Sequence, residues 1–125
     1  REHNKETANE LERAQEVLFI AQAQLAGSTM RVTSKHVNAL ETVIDAIETT
    51  IEKPTSFVVP GATMLSALFD FARTVTRRTE RAVVRAHIGA STELQAYLNR
   101  LSSFFYALAR HDVQTSGKTE KSPTY

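Results

Sequence analysis

The chain has 125 residues, the length of one domain. With 42% apolar and 23% charged residues it can bury a core and is too apolar for wholesale disorder. Fifteen Lys and Arg against fourteen Asp and Glu leave a formal charge of +1, which argues against a large basic field for nucleic acid or anionic lipid. The absence of cysteine excludes disulfides, thiolate nucleophiles and Cys-based zinc or iron–sulfur sites.

Residues 1–6 are polar and are expected to fray. From about Thr7 the positions Leu11, Ala14, Leu18, Ala21 and Leu25 recur at spacings of three and four, which predicts one helix face. Gly27 and Ser28 should stop that helix. Thr33 or Ser34 can cap a second helix whose stripe is Val37, Leu40, Ile44, Ile47 and Ile51, ending before Pro54. The segment TSFVVPG, Thr55 to Gly61, reads as a non-helical connector too apolar to be a solvated loop.

A long third helix is predicted from about Thr63 to His87. At about 100° per residue, Leu65, Leu68, Phe69, Ala72, Val75, Thr79, Val83 and Ala86 fall in one sector, the expected core stripe. Gly89 breaks it, and Ser91 or Thr92 caps a fourth helix reaching about Asp112, with Leu94, Tyr97, Leu98, Leu101, Phe104, Phe105 and Leu108 as its core stripe. The polar tail is expected to be mobile. The pattern is all-α: an up-and-down helical bundle in one domain over 1–125, with 1–6 and 113–125 as flexible ends. Few Gly and Pro agree with long regular elements, and no apolar run approaches the roughly 20 residues of a membrane span. There is no signal-peptide-like start.

Two polar strings go beyond an ordinary surface. Arg73, Arg77 and Glu80 share a narrow face bordering the apolar stripe of the third helix, where partial desolvation would suit phosphate binding by Arg and hydroxyl recognition by Glu. The alternative is an intrahelical Arg–Glu ladder worth a few tenths of a kcal/mol per pair. Arg78, Arg81 and Arg85 point further round, toward solvent. On the fourth helix Asn99, Ser103, Tyr106 and Arg110 lie on the face away from its core stripe, which periodicity alone cannot distinguish from a solvated face. An Asn can both donate to and accept from adenine or ribose. The four histidines, His3, His36, His87 and His111, are scattered without metal-ligand spacing. No Walker-type, Gly-x-Gly-x-x-Gly or nucleophile-elbow string occurs. The arginine helix lacks the aromatic platform of an RNA binder. The residues alone therefore reach a helical bundle with a possible anion-binding Arg/Glu/Asn cleft.

The strings FVVPG, ARTVTRRTERAVV and YLNRLSSFFYALAR, in this order, resemble the PduO-type ATP:cob(I)alamin adenosyltransferases, and the similarity extends over roughly Leu11 to Arg110. The resemblance implies a five-helix subunit, a homotrimer with active sites between subunits, and transfer of the 5′-deoxyadenosyl group of ATP to the cobalt of cob(I)alamin with release of triphosphate. It implies ATP with a magnesium ion and cobalamin as substrates, no separate protein metal site, and a reductase or cobalamin-dependent acceptor enzyme as a further partner. It also implies no nucleic acid or membrane partner, and a cytoplasmic setting, or the mitochondrial matrix in a eukaryote. By this resemblance Arg77, Glu80 and Asn99 contact ATP, with Arg77 and Glu80 the catalytic pair. Arg73 pairs across the subunit interface with an aspartate, Phe57 displaces the lower axial ligand of cobalamin, and Ser103 stands on the cobalamin side where the family has Asp. Arg1, with no initiator Met, falls where the second family helix begins, so the phosphate-loop segment is expected to be missing. The alternative is a non-catalytic cobalamin- or nucleotide-binding trimeric relic; a third reading is a plain structural bundle, for which the set Arg73, Arg77, Glu80 and Asn99 has no use.

Overall fold

The computed structural model describes residues 2–51, 63–86 and 91–115. Four helices make up the fold: α1 (Glu2–Leu25), α2 (Ser34–Glu48), α3 (Met64–Ala86) and α4 (Thr92–Thr115). Helix α1 begins at Glu2, before the expected Thr7, since nothing in the Glu-, Lys- and Ala-containing first turns breaks a helix. Its end is a Schellman turn. Gly27 takes φ 96°, its N–H reaches the Gln24 carbonyl at 3.1 Å, and the Ser28 N–H reaches Ala23 at 2.9 Å.

The other helices start on side-chain caps. At α2 the Thr33 N–H donates to His36 Nδ1 at 2.9 Å. At α3 Thr63 and Ser66 cap each other: the Ser66 N–H donates to Thr63 Oγ1 (2.9 Å) and the Thr63 N–H to Ser66 Oγ (3.0 Å). At α4 Ser91 Oγ accepts from the Leu94 N–H at 3.1 Å.

Helix α4 is the centre of the bundle. Its expected stripe Leu94, Tyr97, Leu98, Leu101, Phe104 and Leu108 is buried, Phe105 is half-buried, and Ala107, Ala109, Arg110 and Val113 are buried as well. Helices run up, down, up, down around it. The end of α1 lies at the start of α4, where Gln24 Nε2 donates to Ser91 Oγ at 3.0 Å. The same buried Gln24 accepts from the Val32 N–H at 2.9 Å, so one amide fastens the α1–α2 connection to α4. Ala14, Val17 and Ala21 of α1 and Val37, Leu40 and Ile44 of α2 complete the core.

Helix α3 corrects the sequence expectation. Its buried residues are Ser66, Phe69, Thr76 and Val83, whereas Leu65, Leu68, Val75, Thr79 and Ala86 are exposed. The face that meets α4 combines Phe69 and Val83, two members of the expected stripe, with the small polar Ser66 and Thr76. The broad apolar sector, with Leu68 56% and Phe71 67% exposed, turns away from the other helices of the chain. A helical wheel finds the most apolar side, and here that side has no partner among the other described helices.

Candidate functional site

Turning α3 this way brings its Arg/Glu face against the second polar string, on α4. The two helices run antiparallel, so residues pair in register down the seam. Thr63 Oγ1 donates to Asp112 Oδ2 at 2.5 Å. The Arg110 guanidinium donates to both Asp70 oxygens, at 2.9 and 3.2 Å. Arg73 lies over the Tyr106 ring, 5.3 Å from its centre, and Arg110 lies over the same ring at 4.8 Å. Asn99 Nδ2 donates to Glu80 Oε2 at 3.4 Å. Hydrophobic contact underlies the polar seam, with Phe69 stacked on Phe105 at 6.4 Å between ring centres.

The expected site residues distribute as follows. Arg73 and Glu80 are half-buried on α3, as is Ser103 on α4; Asn99 is exposed at the edge of the seam. Arg77 is exposed, which corrects its expected partial desolvation: the chain's own helices do not cover that side of α3. Arg78, Arg81 and Arg85 are exposed, as expected. Arg110 is only 2% exposed, which decides against the solvated alternative at that position: α3 packs over it and Asp70 neutralises it. Phe57 and its connector lie outside the described residues.

Beside the Glu80–Asn99 contact is an open depression of about 380 Å³ lined by Glu80, Asn99, Arg100, Gln95 and, from α2, Glu41. Arg100 donates to Asn99 Oδ1 at 2.8 Å, so the Asn99 amide acts as donor and acceptor at once. This end of the seam can read hydroxyl and amide groups, while Arg73 and Arg77, one turn apart, supply donor forks for an oxyanion. Among the described residues no three His, Cys, Asp or Glu gather as metal ligands. A larger hollow of about 520 Å³ lies between α1 and α2 over Tyr97, with a mostly apolar lining to which Arg13, His36 and two glutamates also contribute. Burial there pushes the Tyr97 hydroxyl up to about 12.

Sequence reasoning missed two members of the polar framework. Asp70 sits in the apolar run LFDF, three residues before Arg73, and an acid flanked by phenylalanines on a helix was the available signal. Gln24 interrupts the α1 stripe one position before Leu25 and carries no comparable signal.

The cobalamin adenosyltransferase family model matches residues 1–112. The corrinoid adenosyltransferase of Mycobacterium leprae is 46% identical over 85 residues, covering 65% of this chain and 44% of that protein. The PduO corrinoid adenosyltransferase of Salmonella typhimurium is 36% identical over 109 residues, 80% of this chain and 32% of its own length. The Bacillus subtilis enzyme is 39% identical over 109 residues, 81% and 55%. The chain thus spans between about a third and a half of the length of these curated relatives. Among solved structures, a variant of the PduO-type ATP:co(I)rrinoid adenosyltransferase of Lactobacillus reuteri complexed with ATP superposes with a TM-score of 0.87 at 27% identity, covering 99% of this chain and 74% of that one. A second variant of that enzyme, complexed with cobalamin and ATP, gives 0.87 at 26% identity, covering 98% and 71%. With the family model spanning nearly all of the sequence and the same helices in the same places, the chain belongs to the cobalamin adenosyltransferase family.

Proposed function

We propose that this chain catalyses corrinoid adenosylation: the 5′-deoxyadenosyl group of ATP passes to the cobalt of cob(I)alamin and triphosphate leaves. The observation that carries the reading is the meeting of Glu80 with Asn99 on the face that also bears Arg73 and Arg77, in a chain of this family. The cobalt supplies the electron pair for the new Co–C bond, and the C5′–O pair departs with triphosphate. A chain without cysteine is suited to this, since no protein nucleophile is needed.

The protein's task is positioning and charge stabilisation. Arg77 holds phosphate oxygens and stabilises the leaving triphosphate. Glu80 and Asn99 hold the sugar and base. Arg77 is exposed in the single chain, so a second copy or the nucleotide itself must exclude water for its contacts to gain full strength. A magnesium ion bound with the triphosphate would neutralise charge on the leaving phosphates, and Glu80 is the α3 carboxylate of that face that would help hold it. Phe57 supplies the apolar wedge at the lower face of the corrin, and Ser103 lines the cobalamin side.

The working assembly is a homotrimer, supported by the exposed apolar sector of α3 around Leu68 and Phe71, which a second copy would cover. Arg73 pairs with an aspartate of the neighbouring copy. A reductase supplies cob(I)alamin, and a cobalamin-dependent enzyme takes the product, in the cytoplasm or the matrix of a mitochondrion. No described helix is long and apolar enough to cross a membrane. One feature favours the second reading, a non-catalytic nucleotide- or cobalamin-binding trimer: Ser103 stands where the family has an acid.

The test is conversion of chemically reduced cobalamin by the full chain with magnesium and ATP, read as the light-sensitive spectrum of adenosylcobalamin. Turnover supports the enzyme. ATP binding and trimer formation without any product would support the relic instead.

A further inference from the structure

Arg73 is half-buried, yet among the described residues it makes no hydrogen bond or ion pair and lies instead over the face of Tyr106. A guanidinium carries five donors in a rigid fork, and one withdrawn from water without partners is poised for an oxyanion. A free arginine side chain would instead turn out to solvent and recover its hydration. What holds it is the ring.

The ring in turn is held from the other side of the polar framework. Arg110 lies 4.8 Å from the Tyr106 centre and is itself pinned by Asp70. Two cations over one ring would ordinarily repel, but the Asp70 carboxylate neutralises Arg110, leaving Arg73 as the one uncompensated charge of the stack. Asp70, Arg110, Tyr106 and Arg73 thus form a chain of contacts leading from a buried ion pair to the edge of the site. Arg73 lies one helical turn before Arg77, so its donor edges are offered on the same face.

We propose that Tyr106 is a positioning residue. Its aromatic face, braced by the Asp70–Arg110 pair, fixes the Arg73 guanidinium with its donor edges available to an oxyanion ligand. That ligand is a carboxylate of a second copy of this chain, and a phosphate of ATP is the alternative that the test separates from it. The inference deepens the adenosyltransferase reading and rests on it for the identity of the nucleotide.

The test is a double-mutant cycle on the full chain with Arg73→Ala, Tyr106→Leu and the pair together, plus Tyr106→Phe as the conservative variant. Two quantities are read: ATP affinity by calorimetry, for the phosphate, and the self-association constant by sedimentation, for the carboxylate. In one of them Arg73→Ala and Tyr106→Leu are each expected to cost about three- to tenfold, the range of a partly desolvated cation–π contact. The double variant is expected to be no worse than the poorer single one. Tyr106→Phe, which keeps the π face, should stay within about twofold of the parent. Multiplying effects in both quantities, or a Phe variant as damaged as the Leu variant, would overturn the proposal. A parent chain that binds no ATP would remove the nucleotide reading by itself, and the sedimentation arm would still decide whether Tyr106 acts through Arg73.

Discussion

Arg110 of α4, 2% exposed, places one guanidinium nitrogen against both carboxylate oxygens of Asp70 on α3, at 2.9 and 3.2 Å. This pair clamps the two helices that present the candidate site. Removing one partner strands the other charge in a desolvated position, at a cost of about 3–5 kcal/mol, whereas replacing both with apolar groups of similar size is far milder. Asp70→Ala is therefore expected to lower the urea midpoint of unfolding sharply, and Asp70→Leu combined with Arg110→Met is expected to recover much of the loss. Equal destabilisation by the single and double changes would show that the pair is not the clamp.

Tyr97 makes stability depend on alkaline pH. Burial holds its proton to about 12, against 10 in the unfolded chain. The folded state thus retains a proton that the unfolded state releases, so this contribution is complete below pH 10 and is lost as pH rises from 10 through 12. The loss is on the order of 2 kcal/mol once both states are ionised. Urea unfolding across that window should show falling stability, and Tyr97→Phe should flatten the slope. An unchanged slope in the Phe variant would contradict the assignment.

Four helices, their order and most of the core were legible in periodicity, as were the stops at Gly27 and the cap at Ser91. The α3 core stripe was legible only at Phe69 and Val83. Amphipathicity reports which side of a helix avoids water, not which helix covers it. The apolar side of α3, with Leu68 and Phe71, is exposed and not covered by the other described helices, while Phe69 and Val83 pack with Ser66 and Thr76 between them. The same limit hid the burial of Arg110, because a polar face opposite a core stripe looks solvated until a second helix is laid over it. Both polar strings were visible in the sequence. That they face each other, Glu80 to Asn99 and Arg73 to Tyr106, is a fact of register between distant segments. Gln24 was invisible because its partners are tertiary, and Asp70 showed only as an acid between phenylalanines, with its Arg110 partner 40 residues away.

The exposed sector of α3 is expected to be an interface between copies. Phe71 is 67% exposed, so Phe71→Glu should leave the helical signal of the subunit nearly unchanged. Sedimentation is expected to show a trimer for the parent and dissociation, weakened at least about tenfold, for the variant, since a charge would be buried against apolar surface. A parent chain that stays monomeric at micromolar concentration would contradict the assembly.

Phe57 is expected to matter for chemistry more than for folding. Phe57→Ala should keep the helical signal and the trimer while sharply reducing the four-coordinate cob(II)alamin formed in the presence of ATP. Normal formation of that spectroscopic species, or simple unfolding of the variant, would return Phe57 to a packing role.

The central claim is that the α3 face meeting Asn99 binds and activates ATP. The most direct measurement compares adenosylation by Arg77→Ala, Glu80→Ala and Arg85→Ala over a range of ATP concentrations. The first two are each expected to lower kcat/KM for ATP at least about tenfold, the scale of a lost charge-assisted contact of about 1.5–3 kcal/mol. Arg85→Ala, also exposed but on the outer side of the helix, is expected to change it by less than about twofold. Equal losses in all three variants, or none in Arg77→Ala and Glu80→Ala, would contradict the account.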